Sequence, residues 1–149
     1  MRRRGFEIIS AYVDKHINIP TRKTTKSAGY DLEAGEDILI KAGQIAIVPT
    51  GLKAYMLKDE YLGIHIRSSL ALKKHLNLIN SQGIIDADYY NNINNEGHIM
   101  IGLINFGIED VQIQKGMRIA QAIFYKFLTV DDEVLENTAR QGGFGSTGE

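Results

Sequence analysis

The stretch Ile38–Met56, "ILIKAGQIAIVPTGLKAYM", decides the fold class. Its runs of Ile, Leu, Val, Ala and Tyr are short, and "KAG" and "PTG" break them where a helix would need to continue. The same texture extends in both directions: "FEIISAYV" (6–13), "YLGIHIR" (61–67), "LNLINSQGII" (76–85), "HIMIGLINF" (98–106), "VQIQ" (111–114) and "RIAQAIFYKFL" (118–128). Many short β-rich runs separated by turn residues predict an all-β sandwich or barrel. Only "SSLALKKHL" (68–76) reads as a short helix, with Ser68 or Ser69 capping its first turn and Leu70, Leu72 and Leu76 facing inward. In "HIMIGLINF" both alternating sets are apolar, Ile99, Ile101 and Leu103 on one side and Met100, Ile104 and Phe106 on the other. Both faces of that strand are therefore expected to be covered, one of them by a neighbouring subunit.

A chain of 149 residues is long enough to bury one core and too short for two good ones, so one domain is expected over 1–139. With 44% hydrophobic and 23% charged residues and a formal net charge of −1, the composition is that of an ordinary globular chain. No basic excess suggests a nucleic-acid surface, and "RRR" at 2–4 reads as a solvated terminus. Cysteine is absent, which excludes disulfides and thiol chemistry and makes the cytoplasm the expected location. His16, His65, His75 and His98 lie too far apart in sequence for helical zinc-ligand spacing. No apolar run reaches membrane-spanning length, and neither a signal peptide nor a membrane partner is expected.

The polar clusters that interrupt the apolar runs carry the chemistry. "SAGYDL" sets Asp31 between a turn and a strand, and "GIHIRSSL" sets Arg67, Ser68 and Ser69 at a strand-to-helix junction, a cradle for an anion. In "GIIDADYYN" Asp86 and Asp88 are two residues apart, and an extended strand would point both to one side, where a pair of carboxylates can divide the tasks of holding a cationic partner and taking a proton from water. "KGMRIAQ" adds Arg118 and Gln121. The C-terminal "ARQGGFGSTGE" combines Arg140, four glycines, Ser146, Thr147 and one large aromatic, Phe144. The acidic "TVDDEVLENTA" before it reads as a connection, so 140–149 is expected to move independently of the β domain.

"SAGYDL", "GIHIRSSL", "GIIDADYYN", "KGMRIAQ" and "RQGGFGSTG" together resemble the five ordered motifs of the trimeric dUTPase family, from residue 27 to 148. The resemblance implies a jelly-roll-like β domain that forms a homotrimer, with three active sites at subunit junctions, and hydrolysis of dUTP to dUMP and pyrophosphate with magnesium. It further implies that Asp86 activates the water attacking the α-phosphate, that Asp31 holds waters bound to magnesium, and that Arg67, Ser68, Ser69 and Gln121 hold the phosphates. Asn80 with the backbone of Gly83 and Ile84 would pair with the uracil edge, and Tyr89 would lie under the deoxyribose and exclude a 2′-hydroxyl. Phe144 would stack on uracil while Arg140, Gly145, Ser146 and Thr147 close on the β- and γ-phosphates. Ordering ten or so residues costs on the order of 1 kcal/mol each, whereas burying one Phe recovers roughly 1.5–3 kcal/mol. Phosphate contacts must therefore supply the remainder, and closure of the tail should report a triphosphate.

Related deoxycytidine triphosphate deaminases share the fold but need a glutamate near the base amine, and the Asp86–Asp88 stretch offers none. Phage-type family members also bind repressor proteins; the Asn-rich excursion Asn91–Gly97, longer than the family's usual glycine turn, is the place for such a partner. Met117 stands where the family usually has an acid, so an ion pair to Arg118 is expected to be missing or supplied from elsewhere. Arg140 lies one residue closer to Phe144 than the commonest spacing.

Overall fold

The computed structural model describes residues 1–136. Its strands are β1 (Gly5–Ile8), β2 (Tyr30–Glu33), β3 (Ile38–Ile40), β4 (Ile45–Pro49), β5 (Leu52–Tyr55), β6 (Glu60–Ile66), β7 (Leu76–Leu78), β8 (Gly83–Asp86), β9 (Met100–Asn105), β10 (Val111–Ile113) and β11 (Arg118–Lys126). One α-helix, α1 (Ser68–Lys74), and two short 3₁₀ turns, Ser10–Tyr12 and Ala87–Tyr89, complete the described elements. The strands pair as β1-β5, β10-β3, β2-β11-β6-β8 and β4-β9-β7, every pair antiparallel. The architecture is the all-β, jelly-roll-like one expected.

The core forms because alternate residues of these strands point to one side. Leu62 and Ile64 of β6, Ile101 and Leu103 of β9, and Ile119 at the start of β11 are almost completely buried, together with Leu32, Ile40, Val48, Leu52, Leu76 and Ile113. Each such side chain contributes roughly 1.5–3 kcal/mol relative to an exposed one. Gly51 makes the β4–β5 corner at φ +76, and a Cβ there would lie 2.9 Å from the Tyr12 ring, so no larger residue fits.

Two expectations are corrected. The helix begins with Ser68 itself, and Arg67 occupies the N-cap with no side-chain cap bond, so neither serine is the cap. Leu70 is buried but Leu72 is 78% exposed, because residues two apart project from opposite sides of a helix; Leu76 is buried as the first residue of β7. The other strand expectation holds for one face within this chain. Ile99, Ile101 and Leu103 are buried, whereas Met100 and Ile104 are half-covered and Phe106 is 57% exposed beside exposed Ile45 and Ile47. Among the described residues no helix is long and apolar enough to cross a membrane.

Candidate functional site

Strand β6 is the spine of the site. Its register sets His65 opposite Gln121 of β11, and Gln121 in turn opposite Asp31 of β2; at its other end Tyr61 stands opposite Tyr125 of β11 and Asp86 of β8. Directly opposed residues of an antiparallel ladder share a face. Asp31, Gln121 and His65 thus lie on the same face as Tyr125, Tyr61 and Asp86, four residues further along β6.

The first group is tied together by its own contacts. Arg118 Nη1 lies 3.6 Å from Asp31 Oδ2, and Arg67 Nη1 donates to the Arg118 carbonyl at 3.2 Å. The ion pair that Met117 does not provide is therefore supplied by Asp31. Gln121 packs so closely over Gly29 that a Cβ at that glycine would sit 2.5 Å from its Oε1, which explains the small residue in "SAGYDL". Ser68 and Ser69 are exposed at the start of α1, immediately beyond the end of β6. Asp31, Arg67, Ser68, Ser69, Arg118 and Gln121 therefore gather at one end of the sheet, an arrangement of hydroxyl, amide and guanidinium donors suited to an anion.

The second group runs along β8, from the turn before Gly83, at the same end of the sheet as His65, to Asp86 at the opposite end. Asn80 is in the exposed turn between β7 and β8, where Ser81 adopts φ +63 and the Gln82 N–H donates to the Asn80 carbonyl at 2.6 Å. Gly83 pairs with Ile64, where a Cβ would approach the Ile64 side chain to 3.0 Å, and Ile84 is 58% exposed opposite Gly63. β8 ends at Asp86, and the expectation that Asp86 and Asp88 alternate along one strand is corrected. The partner strand begins at Glu60, one residue beyond Tyr61, so the ladder runs out and the chain turns into the 3₁₀ segment Ala87–Tyr89. Asp88 is exposed on that turn and Tyr89 is buried.

At 3.3–3.4 Å per residue and 4.7–4.9 Å per strand, the backbone of Asp86 lies about 20 Å from those of Arg67 and Asp31 on the same sheet. A base and a phosphate grip must converge to within about 3 Å of the reacting atoms. Within one chain the fold therefore holds Asp86 apart from the Arg67 and Asp31 cluster.

Asn91–Gly97 is a compact knot of turns. Lys53 Nζ donates to Asn91 Oδ1 at 2.6 Å and to Glu96 Oε2 at 2.7 Å, while the Ser10 N–H donates to Glu96 Oε1 at 3.1 Å. The Lys53 ammonium, aided by Ser10, holds the Glu96 carboxyl below the usual carboxylate range. His98 closes the knot, 9% exposed, its Nε2 accepting from the Gly51 N–H at 2.9 Å; burial pushes its pKa down.

Arg140, Phe144, Gly145, Ser146 and Thr147 lie outside the described residues. Side chains that the sequence did not single out also enter the face. His65 Nε2 is 2.9 Å from the Tyr125 hydroxyl, and the Tyr61 and Tyr125 rings stack at 5.1 Å. Their only signal in sequence was alternation on the same strands as Arg67 and Gln121. Among the described residues no three His, Asp or Glu side chains gather in a cluster able to cage a metal ion.

Fold and geometry together define a class: an all-β protein with a cluster of hydroxyl, amide and guanidinium donors at one end of a sheet face and the carboxylate of Asp86 at the other. The chain belongs to the dUTPase family, whose model matches residues 15–148. It is 52% identical over 149 residues to the deoxyuridine 5′-triphosphate nucleotidohydrolase of Lactococcus lactis subsp. lactis (strain IL1403), covering 99% of each chain. The protein of the same name from Rickettsia bellii (strain OSU 85-389) is 44% identical over 136 residues, 87% of each. Among solved structures, dUTPase from Streptococcus mutans superposes with a TM-score of 0.81 at 49% identity, over 85% of this chain and 98% of that one. dUTPase from phage phi11 of S. aureus, at 19% identity, shares the fold with a TM-score of 0.75 over 92% of this chain and 98% of that one.

Proposed function

We propose that this chain is a dUTP diphosphatase that hydrolyses dUTP to dUMP and pyrophosphate in a homotrimer, each active site being completed between subunits. The observation that carries this reading is the separation of the half-sites along β6: Asp86 opposite Tyr61, and Gln121 opposite His65 with Arg67 just beyond. Copies of the chain can bring one subunit's Asp86 to another subunit's Arg67, Ser68 and Ser69. The exposed apolar face carrying Ile45, Ile47 and Phe106 offers the area for such an association.

In this mechanism Asp86 accepts the proton of the water that attacks the α-phosphorus, and the bond to the bridging oxygen breaks to release pyrophosphate. Arg67, Ser68, Ser69 and Gln121 hold the phosphate oxygens in line. Asn80 and the backbone of Gly83 and Ile84 read the uracil edge, and Tyr89 lies beneath the sugar. From the tail, Phe144 stacks on the base and Arg140, Gly145, Ser146 and Thr147 reach the outer phosphates.

A lone carboxylate such as Asp31, beside phosphate-binding donors, suits a magnesium ion that keeps its waters and arrives with the nucleotide, because Mg²⁺ is commonly held by one or two carboxylates plus substrate phosphates. The chemistry such an ion supplies when bound is neutralisation of phosphate charge. Asp31 would orient its waters, and Arg118 would hold Asp31 in place.

The experiment is pyrophosphate release from dUTP, dTTP, dCTP and UTP, each with and without magnesium. Release from dUTP in strong preference to the others supports the reading. Ammonia release from dCTP, or no turnover of dUTP, removes it.

A further inference from the structure

We infer that Asn92 and Asn95 are positioning residues that lock the Tyr89 ring and thereby set the preference for a 2′-deoxy sugar. The inference rests on the reading of Tyr89 as the sugar platform, and it gives the Asn91–Gly97 excursion a role in specificity. Asn92 is 8% exposed; its Nδ2 donates to the Tyr89 carbonyl at 2.8 Å and to Asn95 Oδ1 at 2.7 Å. Asn92 Oδ1 accepts from the N–H groups of Asn94 at 3.0 Å and Asn95 at 3.1 Å, which folds the turn back towards the tyrosine. Asn95 Nδ2 then donates to the Tyr89 hydroxyl at 2.8 Å, and that hydroxyl donates to the His98 carbonyl at 2.7 Å.

The tyrosine is thus held at both ends, its backbone carbonyl by Asn92 and its phenolic oxygen by Asn95 and His98. The knot sits tightly against it: Gly97 adopts φ +88, and a Cβ there would lie 2.8 Å from the Tyr89 carbonyl oxygen. An aspartate or serine cannot reproduce the amide's simultaneous donor and acceptor roles. A sugar hydroxyl is rejected by a ring only if the ring cannot yield, so rotational freedom at Tyr89 should erode discrimination without removing the attacking base.

The test is kcat/KM for dUTP and UTP in the full-length protein and in Asn95→Ala, Asn95→Asp, Asn92→Ala, Tyr89→Phe and Tyr89→Ala, with melting curves for each. Asn95→Ala and Tyr89→Phe should each lower the dUTP/UTP ratio by about tenfold, because each removes the bond from Asn95 to the Tyr89 hydroxyl together with at least one other bond that holds the ring or the turn. Their double variant should lower it by less than the product of the two single effects, since the bond from Asn95 to the Tyr89 hydroxyl is common to both. A merely structural contribution would reduce both nucleotides equally and leave the ratio unchanged, which would overturn the inference. Asn95→Asp keeps the shape and reverses the hydrogen bond, so it tests the point if the alanine variant does not fold. Asn94, exposed on the same turn, serves as control: Asn94→Ala should keep the wild-type ratio. If Tyr89→Ala also leaves the ratio unchanged, the sugar-platform reading itself fails. If Tyr89→Ala lowers it while Asn92→Ala and Asn95→Ala do not, only the positioning inference fails.

Discussion

Arg118 Nη1 lies 3.6 Å from Asp31 Oδ2, a diagonal contact across the strand pair in which β11 lies against β2. The Arg118 side chain is 45% exposed and that of Asp31 16%, so the pair is too solvated to add much stability. In the proposed function its value is orientation of Asp31. Arg118→Ala should leave the melting midpoint nearly unchanged while lowering kcat/KM for dUTP about 10–100-fold, the usual effect of losing a group that orients a metal-associated carboxylate. Steady-state rates across a magnesium titration check this, and saturation at unchanged magnesium concentration would count against it.

Asp86→Asn should retain dUTP binding within a few-fold and lower kcat by about 10²–10⁴, because a general base acts on the transition state far more than on the bound substrate. Single-turnover kinetics together with calorimetric binding separate the two effects. Near-normal turnover would remove Asp86 from the mechanism.

Because Asp86 and Arg67 occupy opposite ends of one sheet face, inactive chains should complement each other. Asp86→Asn and Arg67→Ala chains, unfolded together and refolded as a mixture, should form some sites with both native groups and regain part of the wild-type rate. Each refolded alone should stay inactive. Sedimentation of a fully active monomer would contradict the shared-site reading.

His98 supplies the pH dependence of stability. Its Nε2 accepts from the Gly51 N–H, so the folded state holds the ring neutral, and burial lowers its pKa from 6.5 although Glu36 and Glu96 oppose that shift. Unfolded chains therefore bind more protons below pH 6.5, and the stability present above it is lost as pH falls towards the folded pKa. The carboxyls of Glu7, Glu60 and Glu96 are also held low, but their contribution is lost only below pH 4.5. Melting midpoints measured between pH 8 and 5 should decline below 6.5, and His98→Gln, whose amide oxygen can accept the same N–H, should flatten the decline. An identical slope in the variant would place the effect elsewhere.

Removing residues 140–149 should leave the melting midpoint of the β domain nearly unchanged while lowering kcat/KM for dUTP strongly, since Arg140, Phe144, Ser146 and Thr147 are proposed to contact only the nucleotide. Amide exchange of Gly142–Gly148 should slow with a non-hydrolysable dUTP analogue and not with dUMP. Full activity after truncation would make the tail a passive end.

Residue type and short-range periodicity alone determined the β class, the one helix among the described residues and the five polar clusters, because turn chemistry and alternation are properties of a few neighbouring residues. They also placed Ile101 and Leu103 in the core. Tertiary structure decided what the four clusters within the described residues face. Only the β6 register puts Gln121 beside His65 and Asp86 beside Tyr61, and register depends on pairing between segments far apart in the chain. The end of β8 at Asp86, and so the separation of Asp86 from Asp88, depends on where β6 begins. The Asp31–Arg118 pair and the amide grip of Asn92 and Asn95 on Tyr89 likewise required the folded chain. A hydrogen-bonding side chain in a turn carries no mark in sequence of the partner it will find.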